Sequence, residues 1–345
     1  MKKDIRALSL EELRAFFVEQ GEKAFRGNQV YQWLWQRGIH DFEGMTNISL
    51  EVRALMKQYF TINHIAIDTQ QKSKDGTIKN AVRLHDKLVV ESVLIPTSKR
   101  STACVSSQVG CSLDCTFCAT ARLKRMRNLN PDEIFDQVMA MDQQSRLYFN
   151  RPLSNIVFMG MGEPLMNYKN VVSAIVKITS SDGLGMAPRR ITLSTSGVPK
   201  LIKTLALEYP KFKLAVSLHS ARQEIREKIM PFATKFPLDE LLESLQFWFD
   251  KTKNRITFEY VIWEGLNDQE EDISALVEYC KQVPSKVNLI QYNSIGDEQF
   301  KQASNEIVEH YQNSLESNGI VATIRNSRGS DIDAACGQLA NKNQV

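Results

Sequence analysis

The sequence predicts an α/β fold: a parallel sheet curled into a full or partial barrel, with a small helical module before it and a short tail after it. Three observations carry that prediction. Between residues 131 and 325, strand-like and helix-like segments alternate. Residues 1–60 carry helix signals alone. Polar residues recur where the predicted strands end, as they do on the active face of α/β barrels.

The elements follow in order. "SLEELRAFFVEQG" opens with Ser9 and has Glu12 three residues later, a capping box, and it stops at Gly21. "NQVYQWLWQRG" predicts a second helix with Asn28 as its cap, and "SLEVRALMKQYF" a third. Trp33 and Trp35 read as core of this module, set at residues 1–64. A β extension to about residue 100 holds "TIKNAVRLHD" and "KLVVESVLIP", and "STACVSSQ" follows as a further strand. "NPDEIFDQVMAMDQQ" is a helix with Asn130 as cap and Pro131 at its first position. The strands "NIVFMGMG", "RRITLSTSG", "FKLAVSLH", "RITFEYVIW" and "KVNLIQYNS" each precede a helical stretch, and "IVATIRN" closes the domain at 325. Their ends read Gly160-Met161-Gly162-Glu163, Ser194-Thr195-Ser196, Ser217-Leu218-His219 and Tyr292-Asn293, all expected at one mouth. Residues 326–345 are rich in Gly, Ser and Asn and are expected to form a flexible tail.

The net charge of +3 does not mark the chain as globally basic. Local foci do occur: Lys99, Arg100, Arg122, Lys124, Arg125 and Arg127 stand against Asp114, with Arg189-Arg190 and Arg325 with Arg328 as further foci. Such foci suit either a polyanion or a solvated face. The opening "MKKDIRALSL" lacks an apolar signal core, and no run long enough to span a membrane occurs. The six cysteines cluster in a long chain, which predicts a reducing, cytoplasmic setting with reactive or metal-binding thiols.

Four of those cysteines fall in "CVSSQVGCSLDCTFCATA". Cys111, Cys115 and Cys118 form C-x3-C-x2-C. Three thiolates on a tight loop can hold three irons of a [4Fe–4S] cluster and leave the fourth open, whereas a structural zinc wants four ligands. No second CxxC or His pair supplies them. Phe117 suits a loop that shields a cluster from water. Cys280 reads as a buried helix thiol. Cys336, in "DIDAACGQL", sits in a polar, glycine-flanked tail and reads as reactive.

C-x3-C-x2-C resembles the signature of radical S-adenosylmethionine (SAM) enzymes, and "MGMGEP" resembles their glycine-rich motif. The resemblance implies a partial (βα)6 barrel, a cluster on Cys111, Cys115 and Cys118, and SAM bound by Gly162 and Glu163. It adds Ser194, Ser217, Leu218, His219 and Asn293 as later SAM contacts. Taken together, "CVSSQVGC", "CTFCATA", "FMGMGEPLMN", "PRRITLSTSG", "VSLH" and "DIDAACGQL" are similar to the RlmN family over essentially the whole chain. "ESVLIP" and the proline of "MGMGEP" favour it over the related Cfr-type enzymes, which methylate C8 of the same adenosine. From another class, a non-catalytic, metal-stabilised RNA-binding protein is the remaining alternative.

What the RlmN resemblance implies is methylation of C2 of adenosine in 23S rRNA, at the peptidyl-transferase centre, and in tRNA, next to the anticodon. It implies two SAM molecules per turnover, Cys336 as the methylated cysteine, Cys104 as the thiol that resolves a protein–RNA adduct through a transient disulfide with Cys336, and Glu91 as proton acceptor. It also implies a flavodoxin- or ferredoxin-like electron donor, a disulfide reductant and a monomer working away from membranes. Arg122, Lys124, Arg125 and Arg189 are the candidate phosphate contacts, and the target base must leave its stack to reach the cluster.

Overall fold

Helix α1 (Leu10–Glu19) begins where its capping box predicts, with the Ser9 side chain accepting from Glu12 N and the Glu12 carboxylate accepting from Ser9 N. Helix α2 (Phe25–Trp35) starts before Asn28. Asn28 is therefore not its cap; its Oδ1 accepts from Arg14 Nε at 2.7 Å, and a Cβ at Gly27 would lie 2.7 Å from the Arg14 nitrogen. The two helices cross too closely there for any side chain, which is why the helix runs through Gly27. Helix α3 (Leu50–Tyr59) is capped by Ser49. Trp33 and Trp35 are core, as expected, and Trp35 meets Phe135 edge-on at 5.1 Å. Beside that contact the buried Arg6 pairs with Asp136 at 2.7 Å and Asp132 at 3.2 Å. This computed structural model describes residues 2–208, 211–296 and 298–341.

A ten-stranded sheet forms the body. Its strands are β1 (Ala66–Lys72), β2 (Ile78–Arg83), β3 (Val89–Pro96), β4 (Ser101–Cys104), β5 (Asn155–Phe158), β6 (Ile191–Thr195), β7 (Lys213–Ser217), β8 (Ile256–Ile262), β9 (Ser285–Gln291) and β10 (Val321–Arg325). Their order in space is their order in the chain. Strands β1 to β4 pair antiparallel, and from β4 to β10 every pairing is parallel. The parallel part is the expected partial barrel. The helices α4 (Pro131–Phe149), α5 (Tyr168–Thr179), α6 (Pro199–Glu208), α8 (Leu238–Thr252), α9 (Glu270–Lys281) and α10 (Asn305–Ser317) carry the crossovers. A short α7 (Gln223–Ile229), which the alternation did not show, precedes α8. Among the described residues no helix is long and apolar enough to cross a membrane.

Register on the antiparallel wing places three chemical groups together. Lys79 pairs with Val93, Val93 with Cys104, and Ala81 with Glu91. Directly paired residues, and residues two apart on one strand, share a face. Lys79, Glu91 and Cys104 therefore project from one side of the sheet.

The tail lies on that side. Its described part, 326–341, is docked rather than loose. Arg328 Nη2 donates to the carbonyls of Asp75 and Pro96, both at 2.9 Å, and Asp331 accepts from Ser73 Oγ at 2.6 Å. Gly337 O accepts from Ala119 N at 2.8 Å, and Leu339 O from Thr120 Oγ1 at 2.6 Å. The Gly-rich composition serves turns: Gly329 and Gly337 both take positive φ, at 68° and 85°.

Candidate active site

The ends of the parallel strands surround a cavity of about 160 Å³. Cys111, Cys115 and Cys118 line it, as do Gly162, Glu163, Ser194, Ser217, His219, Asn293 and Cys336. The sequence expectation of one mouth therefore describes most of the candidates. Leu218, Cys104 and Glu91 are not in the lining: Leu218 is buried beneath it, and the other two lie on the sheet face covered by the tail.

The cysteine loop is fixed from two sides. Thr116 donates to Ile229 O through both its backbone N (3.0 Å) and Oγ1 (3.1 Å), and Asp114 accepts from Phe232 N at 3.0 Å. On the other side Gln108 joins the loop to the glycine motif. Its Oε1 accepts from Ser112 N and Glu163 N, both at 3.1 Å. Phe117 packs edge-on to His219 at 5.0 Å and against Trp263 at 5.1 Å, closing one wall with apolar surface. Burial pushes the Cys111 thiol up to about 12 and holds those of Cys115 and Cys118 above their usual range, with the neighbouring cysteines adding to the shift at Cys111 and Cys115.

The glycine motif has two physical jobs. A Cβ at Gly160 would stand 2.7 Å from Val105 O, and one at Gly162 would stand 2.5 Å from Gln108 Cβ. These glycines let the end of β5 seat against the segment leading into the cysteine loop. Gly162 also has φ of 95°. Gly162→Ala is expected to combine a steric clash with backbone strain and to destabilise the protein by about 1–3 kcal/mol, read as a lower midpoint in urea unfolding. Glu163 is buried, with Oε1 accepting from Thr195 Oγ1 (2.7 Å) and Leu165 N (3.0 Å), and Oε2 from Ser196 N (2.8 Å). Burial pushes its carboxyl up, and these hydrogen bonds pull against that.

His219 has φ of 59° and is buried. Its Nδ1 accepts from Val261 N at 3.1 Å, which leaves the proton on Nε2, and desolvation pushes its pKa down to about 3, so the ring is neutral. Arg226, on α7, was not singled out by the sequence. Its guanidinium is buried and donates to the carbonyls of Ser196 (2.6 Å), Ser217 (2.9 Å) and Leu218, tying the ends of β6 and β7 together. A charged residue in "SARQEIREKIM" reads as surface, and only the missing short helix would have revealed it.

Cys336 is exposed to the cavity, and its carbonyl accepts from Asn293 Nδ2 at 3.3 Å. Cys104 is buried, and burial, with a smaller electrostatic contribution from Cys336, pushes its thiol up to about 12. Arg325 and the Met159 backbone N–H oppose that shift. Arg325, counted in the sequence with a surface focus, instead lines the cavity and is held by Glu259 at 3.3 Å. All six cysteines are free thiols, so no disulfide joins Cys104 to Cys336 in this state. Glu91 is buried; Oε2 accepts from Ala340 N (2.8 Å) and Asn341 N (3.1 Å), and Oε1 lies 3.5 Å from Lys79 Nζ.

With that geometry in place, comparison with known proteins is decisive. Residues 3–62 match the ribosomal RNA large subunit methyltransferase N-terminal domain, and residues 105–277 match the radical SAM superfamily. The chain is 68% identical over 341 residues to a probable dual-specificity RNA methyltransferase RlmN of Flavobacterium psychrophilum, covering 99% of this chain and 98% of that one. The chain belongs to the RlmN family. A second probable dual-specificity RNA methyltransferase RlmN, from Flavobacterium johnsoniae, is 65% identical over the same coverage. The crystal structure of a radical SAM methyltransferase from Sphaerobacter thermophilus superposes with a TM-score of 0.92 at 35% identity, covering 98% of this chain and 99% of that one. This RlmN-family protein is thus a SAM-dependent RNA methyltransferase of the radical SAM superfamily, which implies a [4Fe–4S] cluster and SAM.

The residues present fit both groups. Among the described residues no three His, Cys, Asp or Glu side chains converge closely enough for a single metal ion. A cluster does not ask them to, because each thiolate takes its own iron. Buried neutral thiols that ionise on binding iron are the expected donors. Glu163, a buried carboxyl at the cavity wall, suits the ammonium of SAM, whose positive charge would favour its ionised form. The candidate phosphate contacts Arg122, Lys124, Arg125 and Arg189 are all exposed; Arg127, of the same basic focus, pairs with Asp86 and Glu133, both at 2.7 Å.

Proposed function

We propose that this enzyme methylates C2 of adenosine in 23S rRNA and in tRNA, using two SAM molecules per turnover. The observation that carries the reading is the placement of Cys336 at the wall of the cavity lined by Cys111, Cys115 and Cys118, with the buried Cys104 thiol within its electrostatic reach. A nucleophile beside a radical-generating site, with a second thiol behind it, suits a carbon that is neither nucleophilic nor acidic.

When bound, SAM and the cluster supply a methyl group and then a 5′-deoxyadenosyl radical that removes one hydrogen from that methyl group. The protein's residues do the rest. Cys336, as thiolate, takes the methyl group, forming an S–C bond as the methyl–sulfonium bond of SAM breaks and S-adenosylhomocysteine leaves. Its sulfur then carries the methylene that bonds to C2 of the adenosine. The adduct's odd electron would return to the cluster oxidised in radical generation, and Glu91 accepts the C2 proton. Cys104 attacks the Cys336 sulfur, the S–CH2 bond breaks with its electron pair staying on carbon, and protonation of that carbon gives the methyl product. The resulting disulfide requires a reductant, and radical generation an electron donor. The exposed Arg122, Lys124, Arg125 and Arg189 hold RNA phosphates. An enzyme that acts on ribosomal and transfer RNA works in the cytoplasm, and the reading takes it as a monomer.

Glu91→Gln is expected to leave methylated Cys336 intact but to lower RNA product by about 10²–10⁴-fold, read by intact-protein and nucleoside mass spectrometry. The function itself is tested by anaerobic turnover with rRNA and tRNA fragments and mapping of the methyl group on adenosine. A C2 methyl in both supports the reading. A C8 methyl would assign the Cfr-type activity, and a colourless protein without a SAM-sensitive cluster spectrum would make it an RNA-binding protein.

A further inference from the structure

Lys79 is 3% exposed, on β2, and its ammonium faces two groups. One is Glu91 Oε1 at 3.5 Å; the other is the carbonyl oxygen of Asp333 at 3.4 Å. A lysine this deep in a fold is retained where its charge has a partner. Its neighbours on the same sheet face, Ala81 and Val93, offer no polar atom from their side chains. The tail closes over the face, with Ala340 N and Asn341 N on the opposite oxygen of Glu91. Around Glu91, Ser106 Oγ binds its carbonyl and Met161 Sδ its backbone N–H, so Lys79 is the charged group that the structure sets against this carboxyl. Cys104, across Val93 in the register, is the nearest titratable side chain on that face from β4.

We propose that Lys79 is a positioning residue for methyl transfer: its ammonium holds the Glu91 carboxyl group in place under the tail and ties it to the turn that leads into Cys336. The inference deepens the reading of Glu91 as proton acceptor and rests on it. A proton acceptor must be ionised when its proton arrives. Burial of any carboxyl group disfavours its charged form, and an adjacent cation opposes that effect. The second contact matters as much. Asp333 stands three residues before Cys336, in a turn with φ of 52°, so one ammonium fixes both the base and the start of the segment bearing the methyl carrier. The lysine does not line the cavity, so its loss acts on the proton step rather than on methyl loading.

The test uses reconstituted, methylated enzyme in single turnover with an RNA fragment, from mildly acidic to mildly alkaline pH. Lys79→Met is expected to carry normal methylated Cys336 and to form product about tenfold more slowly at neutral pH. The deficit should shrink as pH rises, and Lys79→Arg should restore most of the rate. A deficit equal at every pH, or no deficit, overturns the proposal. So does failure of both Lys79→Met and Lys79→Gln to fold while Lys79→Arg folds, which would assign the ammonium to stability alone. Glu91→Gln in the same assay separates the two levels. Normal product from it sinks the base reading, whereas a blocked Glu91→Gln beside a pH-independent Lys79→Met deficit sinks the Lys79 proposal alone.

Discussion

Cys336→Ala is expected to abolish RNA methylation, by about 10³-fold or more, while cluster assembly and the spectral response to SAM persist. The tail's grip does not depend on the thiol. The Cys336 contact with Asn293 is made by its backbone carbonyl, and Gly337 and Leu339 are held through their carbonyls as well. The substitution therefore removes the proposed nucleophile and leaves the wall of the cavity standing. The checks are iron content, absorbance with and without SAM, and methyl incorporation into RNA. Loss of the cluster would make Cys336 a ligand, and the division of labour among the cysteines would fail.

Cys104→Ala is expected to stop the reaction one step later. Methylated Cys336 should form, and a covalent protein–RNA species should accumulate to about one per enzyme in place of product, visible on a denaturing gel and mapped to Cys336 by mass spectrometry. Normal turnover would remove Cys104 from the mechanism. The unsubstituted enzyme offers a second check. Burial, with a smaller electrostatic contribution from Cys336, pushes the Cys104 thiol up to about 12, so its thiolate is a minor species at neutral pH. Resolution of the adduct should then accelerate with pH, by about tenfold per unit while the thiol remains mostly protonated. A resolution rate flat in pH would mean that another group performs the step.

How far the sequence carried the structure varied with the kind of signal. Periodic and capped segments were legible: Ser9 with Glu12 opens α1, Asn130 with Pro131 opens α4, and the strand ends expected at one mouth do converge there. Two local signals misled for physical reasons. Asn28 looked like a cap, yet α1 and α2 cross at Gly27 and draw it into a side-chain bond instead. The Gly- and Ser-rich tail looked loose, because composition does not reveal the partners Asp75, Thr120 and Glu91 that hold it. Long-range polar contacts were the least legible. Arg226 and Arg325 are buried or cavity-lining cations whose partners lie on or at the ends of other strands, and no spacing rule marks them. Glu91 entered through family likeness; the register that sets it beside Lys79 and Cys104 is visible only once the strands pair.

The central claim is that the methyl group passes through Cys336 and gives up a hydrogen there before it reaches RNA. Turnover with SAM bearing a fully deuterated methyl group tests this most directly, with mass spectrometry of the methylated adenosine as the readout. The account predicts a methyl group on C2 in which one deuterium has been replaced by hydrogen from solvent, because the 5′-deoxyadenosyl radical removes one deuterium and protonation supplies its replacement. A fully deuterated methyl group on the product would show direct polar transfer from SAM and contradict the account.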